Sequence, residues 1–376
     1  MSILSARVYR YALPLRCPLS LPGGAIHERR GLLLRLEGPE GIVGWGEAAP
    51  LPGFSKELLE EAAAALMRIA HAMEGLDLPI PAALLDDNSL PASVSFAVEA
   101  ACLNLLAARQ GIPMYRMITD APPRRILLNA LLHGDRAAVL EKAGTLAALG
   151  YRTAKLKTGG ADWREAAAWV GEVRAALGNA VALRLDANRA WDLPDAVAFG
   201  KAVSAYGVEY IEEPLRDPRL LPDFHDATGM NYALDETLQE LGDAAFALDS
   251  SPSATLDAPG VLYRVIRCAR ACVWKPSLFH FPNISACIAR GGLLGRPIVI
   301  SAAYESGLGI ATLAQYAAAF SGSERPVGLD TYAWFAQDLL ESPLPLPHPE
   351  ADPALLDERA RAVKPEVLKA MVEKWP

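Results

Sequence analysis

Two lysines two residues apart, Lys155 and Lys157, end a short apolar run, and three carboxylates follow at intervals of about 25 residues: Asp186, Glu212 and Asp235. A further lysine, Lys275, closes a later run as Val273-Trp274-Lys275-Pro276. Side chains alternate faces along a strand, so Lys155 and Lys157 point the same way. Two ammonium groups held that close depress the pKa of at least one of them, and a lysine tuned downward serves as a general base near neutral pH. An isolated Lys-x-Lys is more often a solvated strand edge. Each carboxylate taken singly is as readily a helix cap or an ion-pair partner. Their joint order is what argues for one shared site.

The elements that must position these groups follow from the same spacing. Residues 181–185, 208–211 and 232–234 are strand-like runs that each end in one of the three acids, and the interval between them is about one strand-plus-helix unit of an eightfold barrel. Parallel neighbours would bring the acids to one point at the barrel mouth. Three hard oxygen ligands with no Cys or His beside them suit Mg²⁺ rather than zinc, with Mn²⁺ as a substitute. Lys275 would stand across the mouth from Lys155 and Lys157, with the metal between.

Strand and helix alternate through this region. Residues 126–132 read as the first strand; helices are expected over 136–149, 163–177 and 196–206, stopped by Gly150, Gly178 and Gly207. Such alternation implies a parallel sheet with right-handed crossovers, and so many repeats favour closure. An open doubly wound sheet is the alternative, but no glycine-rich nucleotide loop follows the first strand. The last units are 297–301, a helix to Phe320 and a final strand over 326–329. One interval, Asp235 to Lys275, is about 40 residues long, its excess placed in an insertion at 249–255 that puts Lys275 most at risk.

Upstream, residues 6–13, 31–36 and 41–46 read as an antiparallel sheet, with an irregular Pro- and Gly-rich connection over 16–30. Helices are expected over 57–73, with Ser55 as N-cap, and over 91–110, with Gly111 as C-cap. The expected fold is therefore α/β: an α+β capping domain (1–122), a (β/α)7β TIM-like barrel (123–335) and a C-terminal segment (336–376) packing back on the cap.

Bulk composition narrows the function. The chain has 376 residues, 52% hydrophobic and 21% charged, which describes a globular protein with a large core. A net charge of -8 offers no basic field to neutralise phosphates, so nucleic acid is not the expected partner. No secretory signal opens the chain and no uncharged run reaches membrane-spanning length. Cys17, Cys102, Cys268, Cys272 and Cys287 form no zinc or disulfide framework and read as buried small hydrophobes in a reducing, cytoplasmic compartment. A small-molecule carboxylate is the expected partner, and a homo-oligomer is compatible with the sequence.

In this order, Lys155-Leu156-Lys157, Asp186-Ala187-Asn188, Glu212-Glu213-Pro214, Asp235-Glu236 and Lys275-Pro276 resemble the muconate-lactonizing subgroup of the enolase superfamily. The stretches 44–55 and 183–191 narrow the resemblance to its o-succinylbenzoate synthase family. It covers most of the chain and implies an enolase-like cap-and-barrel fold. The implied reaction is a syn dehydration of 2-succinyl-6-hydroxy-2,4-cyclohexadiene-1-carboxylate to 2-succinylbenzoate, serving menaquinone or phylloquinone synthesis. By resemblance, Asp186, Glu212 and Asp235 hold Mg²⁺, Lys157 removes the α proton and returns it to the departing hydroxyl, Lys275 is a cationic stabiliser, and Lys155 tunes Lys157 and contacts the carboxylate. Asn188 reaches the substrate with Glu213 behind it, while backbone near Ser301 and Gly328 receives the succinyl tail. Leu51, Gly53 and Phe54 cover the ring, and 16–30 corresponds to a loop that closes over the site.

Glu305-Ser306-Gly307 resembles the family's Glu-Ser motif, with Ser301-Ala302-Ala303 replacing a more serine-rich run. Residues 328–331 lack the Asp-x-Asp with which dipeptide epimerases hold an α-ammonium group. Two rivals stand beside this reading: an N-acylamino acid racemase or dipeptide epimerase of the same superfamily, and a non-catalytic barrel that binds a small acid or a protein.

Overall fold

The computed structural model describes residues 1–79, 90–120, 123–160, 162–241, 258–279, 293, 295–320, 324–364 and 369–370. The chain opens with a long hairpin, β1 (Ser5–Leu21) against β2 (Gly24–Glu37), paired antiparallel from Ser5–Glu37 out to Leu21–Gly24. The connection expected over 16–30 is thus the outer half of this hairpin. Its prolines mislead a local reading: the register shifts between Pro14 and Leu19, and a bulge of this kind accommodates residues that cannot donate to the ladder. β3 (Val43–Ala48) pairs with β2.

Helices Leu59–Met73 and Ala92–Gln110 cover one face of the sheet, around a core that includes Leu32, Leu34, Leu36, Leu66, Val98 and Leu105. Ala92–Gln110 is long and apolar enough, by composition, to cross a membrane, but it packs closely along β3. The contact is close because Gly44 and Gly46 lack side chains; a Cβ at either would collide with the carbonyls of Ala101 or Ala97. Gly111 ends this helix in the left-handed region, as expected. Ser55 does not cap the preceding helix. That helix begins at Leu59, the Leu58 N–H donates to Glu61 Oε2 at 2.8 Å, and Ser55 Oγ instead accepts from Leu51 N at 2.8 Å.

The barrel begins where a single strand was expected and two pieces are found. β4 (Ile126–Leu127) pairs antiparallel with β12 (Glu350–Ala351), and β5 (Ala130–Leu132) enters a parallel sheet. The sheet runs in sequence order through β6 (Thr153–Lys157), β7 (Ala182–Asp186), β8 (Val208–Glu212), β9 (Tyr232–Leu234), β10 (Ala271–Trp274) and β11 (Ile298–Ile300). The eighth stave is narrower than the strand expected over 326–329. Val327 bridges Leu128 and Gly328 bridges Ser301, both parallel, which joins β11 to the first strand and closes the barrel.

Helices Arg136–Thr145, Trp163–Leu177 and Leu193–Val203 lie between strands, each begun by an aspartate whose carboxylate accepts a backbone N–H: Asp135, Asp162 and Asp192. Helix Pro353–Ala360 packs on helix Gly307–Phe320 of the barrel, and the terminal strand Lys369–Ala370 returns to pair with β1.

A buried carboxylate fastens the sheet to the barrel. Glu47, at the end of β3, accepts from Ser306 N (3.0 Å), Ser306 Oγ (2.7 Å), Gly309 N (2.8 Å) and the Tyr11 hydroxyl. It therefore sits on the N-terminus of helix Gly307–Phe320, where the orphan N–H groups and the helix dipole favour an anion. Arg29, also buried, donates to the carbonyls of Tyr304 (3.1 Å), Pro50 (2.8 Å) and Ala49, tying the hairpin to a barrel loop. Among the described cysteines, Cys102 and Cys272 are buried, but Cys17 and Cys268 are exposed, against the expectation that all are core residues. Cys287 and the expected insertion at 249–255 lie outside the described residues.

Candidate active site

Parallel register converts sequence position into height along the barrel. Lys157 pairs with Asp186 and Asp186 with Glu212, so the three share one level at the C-terminal rim, and Lys155 lies two residues deeper on the same face. Asp235 directly follows β9 and Lys275 directly follows β10. Lys155 Nζ lies 2.9 Å from Asp186 Oδ2 and 2.7 Å from Glu212 Oε1, and Lys275 Nζ pairs with Asp235 Oδ2. All three carboxylates are buried.

The electrostatics correct one expectation. Burial pulls the Lys155 pKa down, but Asp186, Glu212 and Asp235 outweigh it and hold the ammonium well above the ordinary lysine value. The acids around it, not the neighbouring lysine, decide its charge. Lys275 is likewise raised, with burial opposed chiefly by Asp235. Asp186 is held below the ordinary carboxylate range, because Lys155, Lys157 and Lys275 together overcome its burial. Glu212 goes the other way, pushed well above that range by burial and by Asp186 and Asp235 despite the Lys155 contact.

Lys157 reaches outward from this group and donates to Asn188 Oδ1 at 3.4 Å, and Asn188 Nδ2 donates to Glu236 Oε1 at 3.0 Å. Glu236 had no role assigned from sequence, although the Asp235-Glu236 pair was its signal. Its carboxyl is pushed up to about 7 by burial first and Asp235 next, and its Oε2 is buried without a partner.

Glu213 is turned away from the interior by a positive φ of 44°. From there its Oε1 accepts from Asp235 N (2.9 Å) and Thr237 N (2.8 Å), and its Oε2 from Thr237 Oγ1 (2.8 Å) and Arg189 Nε (3.1 Å). Asn188 (43°), Arg189 (58°) and Tyr304 (62°) also have positive φ, which concentrates four of the five such non-glycine residues among the described residues in these loops. Backbone held in that region is costly for side-chain-bearing residues and persists where surrounding contacts over-determine it.

The donor set fits a hard cation in chemistry. Three buried carboxylates come from successive strand ends with no sulfur or imidazole among them, and Glu212 Oε2 is buried without a hydrogen-bond partner. Among the described residues no three acids are yet close enough to grip one ion, because Lys155 stands between Asp186 and Glu212 and Lys275 holds Asp235.

Above the rim, buried Leu51 packs with Leu19 of the hairpin and with Leu278 and Ala303 of the barrel loops, with Phe54 and Tyr304 against the cluster. Gly53 has φ of +78° and a Cβ there would lie 2.6 Å from the Pro22 carbonyl oxygen, so this loop and the hairpin tip fit only as glycine allows. Phe54 is fixed through its carbonyl by Gln239 Nε2 at 2.6 Å. Ser301 and Gly328 meet at the barrel closure, where a Cβ on Gly328 would lie 2.8 Å from Ser301 Oγ. Glu305 is buried behind the rim, accepting from Ala303 N at 2.6 Å and from Ser277 Oγ. His133 stacks on Trp334, ring centroids 3.6 Å apart.

Comparison with known proteins bears on the family and the fold. Residues 3–105 match the family described as MenC, N-terminal domain, and residues 138–253 match enolase C-terminal domain-like. An o-succinylbenzoate synthase of Klebsiella pneumoniae (strain 342) is 34% identical over 353 residues, covering 91% of this chain and 96% of that one. In fold, the chain is similar to the L-Ala-D/L-Glu epimerase of Bacillus subtilis (TM-score 0.78, 22% identity, 93% of this chain and 96% of that one). It is also similar to a dipeptide epimerase of Enterococcus faecalis V583 solved with Mg and a dipeptide (TM-score 0.78, 21% identity, 94% and 99%).

Proposed function

The chain belongs to the o-succinylbenzoate synthase family of the enolase superfamily, and from that membership we propose how its ring of charge performs the family's dehydration. It is an enzyme, a carbon–oxygen lyase, acting on a small molecule. The observation that carries the reading is the shared level of Lys157, Asp186 and Glu212, with Lys155 beneath them and Lys275 on Asp235.

Removing a proton α to a carboxylate places a second negative charge on that group. Asp186, Glu212 and Asp235 are the residues that would hold Mg²⁺, or Mn²⁺ in its place, and the ion supplies electrostatic relief for the developing charge; a lysine base beside Mg²⁺ is the general arrangement in this superfamily. Lys157 Nζ takes the α proton of 2-succinyl-6-hydroxy-2,4-cyclohexadiene-1-carboxylate. The ring C–O bond then breaks, and the same ammonium returns the proton to the departing hydroxyl, which leaves as water from the same face. Asn188 orients Lys157 and is in turn held by Glu236. Lys275 remains an ammonium opposite the base, and Lys155 keeps the acids partly neutralised. Leu51, Gly53 and Phe54 cover the ring, and the backbone at Ser301 and Gly328 receives the succinyl group. Glu213 and Glu305 hold the loops behind these contacts.

The racemase alternative needs Lys275 to move a proton, and its ion pair with Asp235 speaks for a fixed cation instead. We place the join of cap and barrel near residue 122 and the return segment from 336; the separate apolar core of the cap supports the first boundary. Menaquinone or phylloquinone synthesis in the cytoplasm is the setting this reaction implies.

The test is turnover of the cyclohexadiene followed by absorbance of the aromatic product, with Lys157→Ala beside the unaltered chain. Lys157 is exposed, so the variant should keep its unfolding temperature while losing a factor of about 10² to 10⁴ in turnover. Near-normal turnover would remove Lys157 as the base. Deuterium entering an N-succinylamino acid on both faces would favour the racemase.

A further inference from the structure

The carboxylates occupy one pole of the barrel, and a cavity of about 690 Å³ opens at the other. It is lined by the starts of strands, Thr153, Ala182 and Ala271, and by Pro297 and Pro326. Arg184 and Tyr210 form its inner end. Both are in register with Lys155, so this layer separates the cavity from the acids above.

The charge here runs against that of the chain. Arg152, Arg184, Arg270 and Arg325 face Glu209 and Glu324 across the cavity, although the protein as a whole carries -8. Arg184 is 2% exposed; its Nε donates to Glu209 Oε2 at 2.8 Å and its Nη1 to the Pro326 carbonyl at 2.7 Å. Tyr210 is 1% exposed and its ring lies 5.1 Å from the Arg184 guanidinium. Arg152, Arg270 and Arg325 are exposed at the mouth and form no ion pair among the described residues. Four guanidinium groups against two carboxylates leave the lining with an excess of positive charge. An anion in the cavity would offset that excess.

We propose that this cavity is a second ligand site, which takes a small organic phosphate. Guanidinium forks match phosphoryl oxygens in planar, paired geometry, which explains arginine at all four cationic positions. Phe320 and Val299 provide an apolar wall for the organic part, and the volume lies in the range of small-molecule sites.

Isothermal titration of the full-length, Mg²⁺-loaded enzyme with phenyl phosphate tests this, at an ionic strength low enough to preserve ion pairing. Saturable one-to-one binding is expected, unaffected by saturating 2-succinylbenzoate and by Lys157→Ala, so the result stands apart from the reaction assigned to the other pole. The double variant Arg270→Gln/Arg325→Gln should weaken binding at least tenfold and leave turnover unchanged. Tyr210→Phe should weaken it a few fold without shifting the unfolding temperature. Absence of saturable heat, competition by 2-succinylbenzoate, or equal affinity in the double variant would overturn the proposal. Benzoate binding as tightly as phenyl phosphate would overturn the phosphate assignment.

Discussion

Glu213 should govern both stability and metal affinity without touching the substrate. In Glu213→Ala, Asp235 N and Thr237 N, both served by Oε1, lose their acceptor inside the protein, and Arg189 loses one of its carboxylates. Two buried N–H groups left unsatisfied cost about 1–3 kcal/mol each. Burial already raises the Glu213 carboxyl pKa, so removing it relieves part of that penalty, leaving a net loss of about 2–4 kcal/mol. In Glu213→Gln the carbonyl oxygen still serves both N–H groups, and the amide replaces the oxygen that accepts from Arg189 Nε and Thr237 Oγ1, for about 1–2 kcal/mol. The unfolding temperature of the metal-free chain should therefore fall by about 3–5 °C for Ala and by about half that for Gln. Loss of the tether on Asp235 should also weaken Mg²⁺ binding about 10- to 100-fold in the Ala variant. Calorimetric unfolding and Mg²⁺ titration of the three proteins measure both effects. The reasoning fails if Gln is as damaging as Ala, or if Ala leaves the unfolding temperature and the Mg²⁺ midpoint unchanged.

Because burial and its acidic neighbours raise the Glu212 carboxyl pKa, Mg²⁺ binding should release protons, the more so as pH is lowered. Titration in buffers of different ionisation enthalpy reads this directly, and zero release would contradict the assignment. In the metal-free chain, Lys155 is raised above 10.5 and Asp186 lowered below 3.8. The lysine contribution is present below about 10.5 and lost as pH rises through the higher folded value; the aspartate contribution is present above about 3.8 and lost as pH falls through the lower one. The pair thus stabilises the chain across the whole interval between. In Lys155→Met the buried acids keep protons to higher pH, so the variant loses stability as they ionise. Its unfolding temperature should fall away from that of the unaltered chain as pH rises above the ordinary carboxylate range, and a gap that narrows would refute this sign. Gly309→Ala should destabilise the join between sheet and barrel, since its Cβ would collide with Glu47 Oε2; unchanged unfolding temperature would show that Glu47 can yield.

The placement of the rim residues was legible in the sequence because strand geometry is local. Alternation fixes which residues share a face, and about 25 residues per strand and helix fixes which strand ends are neighbours, so the placement of Lys155, Lys157, Asp186, Glu212 and Asp235 followed from spacing. Helix ends were legible for the same reason at Gly111 and at Trp163–Leu177.

What tertiary structure decided depends on partners far away in the chain. Residues 16–30 became strand because each arm supplied the other's ladder, which no local pattern of prolines reveals. Glu47 found its donors some 260 residues away at Ser306 and Gly309. The charge of Lys155 was set by carboxylates brought in from three other strand ends rather than by the lysine beside it. The arginines of the far pole, scattered from 152 to 325, share a cavity only once the barrel closes between Val327 and Leu128. Sequence specified the periodic part of the fold, and closure of the chain on itself specified which charges meet.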